Sequence, residues 1–165
     1  MKHNFWKVKA SILFAGIFIV GLLGCASLKP VPTAELQVIP DKTVLSPALI
    51  KKAVQFKGSG FAANEMVVVD LVPGPGVTIK GADEGENVGL AFATADEKGN
   101  FTAKMSPIST LNWFFQVGWT KNMKPDFKQA KPLKPGKYEI LATGMDSGVI
   151  GKATLEFLTP PKKKK

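Results

Sequence analysis

Two side chains able to serve as nucleophile, metal ligand or proton shuttle occur once each, His3 and Cys25. Beyond residue 25 there is no histidine, no thiol and, as in the whole chain, no arginine, because all 22 basic residues are lysine. That inventory removes most catalytic constellations. Ser-His-Asp and Cys-His pairs lose their base, and Cys/His zinc sites lose their ligands. No Cys-x-x-Cys-His haem attachment occurs. No Gly-x-x-x-x-Gly-Lys-Ser/Thr phosphate loop exists, and "PGPG" at 73–76 reads as a turn. Carboxylates cluster at Asp83, Glu84 and Glu86 in "GADEGEN" without the alternating acid spacing of an EF-hand. Two readings stay open there, a solvated acidic loop and a calcium loop. Nothing in the pattern suggests the cleft with paired acids that glycoside cleavage needs. The expectation is a protein without catalytic residues, metal or cofactor, in which an enzyme survives only through carboxylate or lysine chemistry.

The residues around Cys25 give it a different use. Lys2, Lys7 and Lys9 precede an uncharged apolar run at 10–24, "ASILFAGIFIVGLLG", the layout of a secretory signal. The run is short for a bilayer span of about 20 residues, but no charge follows until Lys29, so an uncleaved helical anchor also stays open. Leu22-Leu23-Gly24-Cys25 resembles a bacterial lipobox. The resemblance implies that residues 1–24 are a cleaved signal peptide and that Cys25 carries diacylglycerol and acyl chains such as palmitate. Several chains hold a protein at a membrane where one holds it marginally. The cut also discards His3. Ala26, rather than Asp, after the cysteine resembles lipoproteins sent to the outer membrane of a diderm cell; otherwise the address is the outer face of the cell membrane.

Net charge is +9, yet Lys2, Lys7, Lys9 and the lysines at 162–165 carry much of it and the middle is close to balance. Nucleic acid is not expected as a partner, since its sites cluster Arg with Lys on a folded face. The tail "PPKKKK" reads either as a solubilising extension or as an electrostatic contact with an acidic envelope surface or partner.

The elements that must carry any site begin after a proline-broken stretch. Pro30, Pro32, Pro40 and Pro47 make 25–47 read as an extended tether, with 36–39 as an optional edge strand. From 48 to 159 the chain alternates as β-structure does. Val67, Val69 and Leu71 share one face, opposite Met66, Val68 and Asp70. Leu90, Phe92 and Thr94 alternate, then a turn at 96–100, served by Asp96 and Glu97, leads to Phe101, Ala103 and Met105, a hairpin signal. Tyr138, Ile140 and Ala142, and then Ala153, Leu155 and Phe157, point inward, and no convincing helical period is found.

"GSGFAANE" (58–65), "ADEKGNFTAKM" (95–105), "LKPGKYEILATG" (133–144) and "GKATLEFL" (151–158) resemble, in order, segments of bacterial immunoglobulin-like surface modules. The resemblance implies an all-β, antiparallel immunoglobulin-like β-sandwich of about seven strands over 48–159, with a Lys-rich tail at 160–165. It implies a binding or spacer role and brings no catalytic residue. Ala63-Asn64 departs from the Pro-Gly usual in such modules, and 106–134 is longer than the usual connection.

That long connection holds Trp113, Phe115, Val117 and Trp119 at spacing two, one face of a strand, with Phe114 opposite. One reading puts the even-spaced set in the core and leaves Phe114 as the exposed contact. The other makes 111–119 an apolar patch for a partner or ligand, with Trp113, Phe114, Phe115 and Trp119 as its binding residues. The lysines at 121, 124, 128, 131 and 134 read as a solvated loop or as contacts to an anionic glycan or lipid headgroup. The expected function is a membrane-held envelope protein that binds a protein partner or helps assemble a complex. The alternative is a binder of a small hydrophobic ligand or envelope glycan through 111–119.

Overall fold

The computed structural model describes residues 33–161, so the expected signal peptide at 1–24, Cys25 and most of the lysine tail lie outside the described residues. The fold is all-β. Its strands are β1 (Thr33–Ile39), β2 (Lys42–Val44), β3 (Gln55–Ser59), β4 (Met66–Val72), β5 (Val88–Thr94), β6 (Phe101–Lys104), β7 (Gly118–Trp119), β8 (Pro125–Asp126), β9 (Gly136–Gly144) and β10 (Ile150–Leu158). Ladder pairing runs β5-β4-β9-β10-β1-β3-β6, with β2 also on β10, while β7 and β8 form a separate ribbon. The sheet curls until its end strands β5 and β6 approach each other without ladder pairing, and the enclosed space is the core.

Inward alternation builds that core as the sequence predicts. Val67, Val69, Leu71, Ile140, Ala142 and Leu155 are fully buried, and Phe101, Ala103, Met105, Tyr138 and Phe157 close to it. Outward, Lys152 and Glu139 pair at 3.2 Å.

Three expectations are corrected. First, most of the stretch expected as a tether is folded, because the sheet already begins at Thr33. β1 is an interior strand, parallel to β10 over Thr33, Ala34 and Glu35 and antiparallel to β3 from Glu35 to Ile39. Pro40 stands between β1 and β2 and Pro47 caps a four-residue helix, α1 (Ala48–Lys51), so neither interrupts a ladder. Second, the β5–β6 hairpin has its turn but not its ladder. Asp96 Oδ1 accepts from the backbone N–H of Lys98 and Asn100. Gly99 adopts φ +76° where any Cβ would overlap the Phe61 carbonyl. The strands it joins then diverge, β5 to β4 and β6 to β3. Third, Phe92 does not share the inward face of Leu90. Val69 pairs with Ala91 but Asp70 with Gly89, so Leu90 is an extra residue in a β-bulge. A single inserted residue reverses the facing of all that follow. Ala91 and Ala93 therefore turn inward, and Phe92 is 78% exposed.

The connections sort to two ends. At one end, where Thr33 lies beside Ile150, the β3–β4, β5–β6 and β9–β10 turns meet. Glu65 ties two of them together. It is only 2% exposed, and its carboxylate accepts from the backbone N–H of Ala62, Asp146 and Ser147 and from the Ser147 hydroxyl. Burial pushes its pKa up, but these hydrogen bonds outweigh it and hold the group below its usual value. Gly144 has no room for a Cβ, which would fall on that carboxylate. At the other end lie the long β4–β5 and β6–β9 connections.

A cleft between two long connections

The β6–β9 connection is where the structure departs furthest from the sequence expectation. No strand runs through 113–117. Ser106 caps a short helix, α2 (Pro107–Ser109), its Oγ accepting from the Ser109 N–H, with Pro107 at the first helical position. The helix continues into a π-turn over Thr110–Phe114, closed by Phe115 N–H to the Thr110 carbonyl at 3.1 Å. On a helical turn Leu111, Phe114 and Phe115 fall together, and all three are buried.

Phe114 is thus corrected from exposed contact to core, at 0% exposure. Its ring meets Phe157 edge to face at 4.9 Å between centroids, and Tyr138 packs on the same Phe157 at 5.6 Å. Trp113 is half-buried. Trp119, 37% exposed, lies in the β7–β8 ribbon and donates its indole N–H to Asn112 Oδ1. The four aromatics do not form one exposed face. Two of them anchor the connection to the barrel, and none lines the neighbouring cleft.

That cleft, of about 770 Å³, opens between 76–80 of the β4–β5 connection and 116–134 of the insertion, with Tyr138 also lining it. Its construction follows from the aromatic anchor. The Phe114 carbonyl accepts from Leu133 N–H at 2.9 Å, which draws the Lys131–Lys134 strap over the barrel end. Gln116 sits 5% exposed with a left-handed backbone, φ +46°, a conformation rarely populated by non-glycine residues. Its Oε1 accepts from the Lys80 N–H at 2.7 Å and its backbone carbonyl from Lys131 N–H, so it joins the two connections. The Lys80 ammonium reaches the Val117 carbonyl at 3.5 Å.

The lining divides by chemistry. Val77, Pro132 and Leu133 supply apolar surface; Lys80, Lys131 and Lys134 supply positive charge; Thr78, Gln116 and Gln129 supply neutral polar groups. No carboxylate is among the lining residues. Tyr138 donates its hydroxyl to the Lys134 carbonyl at 2.8 Å, and burial pushes its phenol above the ordinary value, so it stays a neutral, fixed donor. Two of the five loop lysines noted in the sequence, Lys131 and Lys134, reach this cleft. Lys80, Gln116 and Tyr138 come from elsewhere in the chain, and only the fold brings them together. The acidic loop stands apart: Glu86 accepts from Asp83 N–H, and among the described residues no three metal-ligating side chains converge.

No protein-family model matches the chain, and no curated protein matches it in sequence. Among solved structures it is similar to macromomycin, at 14% identity and a TM-score of 0.42, over 76% of this chain and all of that one. It is similar to a β-glucosidase, DesR, of Streptomyces venezuelae at 15% identity and a TM-score of 0.40. It is similar to a β-glucosidase of Listeria innocua at 13% identity and a TM-score of 0.35. The match spans 76% of this chain in both cases but only 15% and 16% of the two enzymes. Among the described residues no helix is long and apolar enough to cross a membrane.

Proposed function

We infer that this chain is a non-catalytic binding module of the cell envelope, held to a membrane by lipid on Cys25, and that the end cleft is its binding site. The observation that carries the reading is the cleft's lining, which brings hydrogen-bonding groups, charge and apolar surface together in one concavity able to hold a ligand. The finer fold reading is immunoglobulin-like. In its favour are the first strand, which leaves β10 for β3 part-way along, and Tyr138 near the start of the penultimate long strand. The bond from its hydroxyl to the carbonyl four residues upstream has the form of a tyrosine corner. The outer membrane of a diderm cell, or the outer face of the cell membrane, is the proposed location, with an envelope protein or polymer as partner.

Cell fractionation tests the anchor. The full chain is expected in the membrane pellet and Cys25→Ala in the soluble fraction. A variant that stays in membranes with its N-terminus uncut sinks the lipid anchor and points to a helical one. The site is tested by equilibrium dialysis of the full chain in phosphatidylcholine nanodiscs against soluble peptidoglycan and glycan fragments and small organic acids and alcohols. One ligand per chain is expected, with binding lost in Thr78→Trp, which fills the cleft mouth from an exposed position. Binding unchanged by Thr78→Trp places the site elsewhere.

A further inference from the structure

We propose that the end cleft selects a small organic anion, a molecule with one carboxylate- or phosphate-like group on a compact apolar body. This rests on the reading of the cleft as the binding site and specifies its ligand class.

Three observations converge. The first is charge. Lys80, Lys131 and Lys134 line one concavity with no acid among them, so their positive potential is uncompensated inside it. A concave surface lined by one sign of charge concentrates counter-ions of the other. The second is a donor already oriented, carried by a nearly buried residue. The Gln116 side-chain oxygen is occupied by the Lys80 N–H, which fixes which end of the amide is nitrogen. The NH₂ makes no hydrogen bond to any described residue and stays open to solvent, on a residue that lines the cleft and is otherwise nearly buried. A fixed N–H donor beside ammonium groups favours an acceptor-only ligand, the character of a carboxylate or phosphate oxygen. The left-handed backbone of Gln116 is a strained conformation, held by the Lys80 N–H bond to its side-chain oxygen and the Lys131 N–H bond to its backbone carbonyl. The third is the wall. Val77, Pro132 and Leu133 give an apolar surface for the rest of the molecule, and about 770 Å³ suits an occupant the size of a sugar phosphate or aromatic acid rather than a bare ion.

The experiment compares phenyl phosphate with benzyl alcohol, a neutral molecule of similar apolar body, by equilibrium dialysis with the full chain in phosphatidylcholine nanodiscs. Phenyl phosphate is expected to bind one per chain, at least tenfold more tightly than benzyl alcohol, and to weaken as salt is raised. Gln116→Glu keeps the acceptor for Lys80 N–H but turns the donor into an anion. It is expected to weaken phenyl phosphate at least tenfold and leave benzyl alcohol unchanged. The combined Lys80→Met, Lys131→Met, Lys134→Met variant alters only exposed side chains and is expected to do the same, so the test stands even if Gln116→Glu disturbs the fold. Equal affinity for the two probes, with both lost in Thr78→Trp, overturns anion selection while the cleft remains the site. Failure of phenyl phosphate to bind the wild type overturns anion selection, while the cleft as binding site stands or falls on the wider ligand set and Thr78→Trp.

Discussion

Glu65→Ala is expected to lower the unfolding free energy by about 3–6 kcal/mol, because it strands the backbone N–H groups of Ala62, Asp146 and Ser147 that now share one buried carboxylate. The donors come from two turns some eighty positions apart in sequence, so no local rearrangement satisfies them all. Urea unfolding followed by tryptophan fluorescence measures the loss; a change below about 1 kcal/mol would show that water replaces the carboxylate at little cost. The same group makes stability depend on acid, and the direction follows from its lowered pKa. The unfolded carboxyl titrates near 4.5 and the folded one below it, so the stabilisation is present in full above about pH 4.5 and fades as pH falls through the folded value. Glu65→Gln keeps the shape and an acceptor but cannot titrate. The stability gap between wild type and Glu65→Gln should therefore narrow on the acid side, and a gap constant from pH 7 to pH 3 would contradict the assignment.

Phe114→Ala is expected to cost about 3–5 kcal/mol, the range for removing a fully buried aromatic side chain. For a domain of this size that lowers the melting temperature by more than about 10 °C. The ring fills the space against Phe157, which also supports Tyr138, so the loss reaches the strap over the cleft as well as the core. Trp119→Ala provides the contrast. Its side chain is partly exposed and tied only to Asn112, and the loss should stay within about 1 kcal/mol. Equal costs for the two, read by thermal denaturation, would restore the view of 113–119 as one uniform face.

The inward faces of β4, β6, β9 and β10 were legible because alternation survives wherever a ladder is regular. The misreadings have identifiable causes. At Leu90 an extra residue reverses the alternation, and its one local sign is the glycine beside it, Gly89, inside the strand. Around Trp113 both periods were written in the sequence at once. The spacing-two set is Trp113, Phe115, Val117 and Trp119. The helical set is Leu111, Phe114 and Phe115, preceded by the Ser106-Pro107 start signal, and the cap decides between them. The turn at 96–100 is local and was visible, whereas the partners of the strands it joins are set by distant chain. The cleft lay beyond reach for the same reason. Gln116 carries no signal of its own, and its pairing with Lys80 spans 36 positions.

The place where β1 begins has a geometric consequence for a protein held at Cys25. Eight residue steps separate Cys25 from Thr33 (33 minus 25), and an extended chain of that length reaches at most about 28 Å. Strands of nine residues such as β9 and β10 rise about 30 Å, and the cleft lies at the end of the barrel away from Thr33. On the proposed anchoring the leash is about as long as the barrel is tall. The domain would work as a short post with its opening on top, sampling a layer a few nanometres above the lipid headgroups. Lengthening residues 26–32 with a flexible insert would raise the opening without altering its affinity.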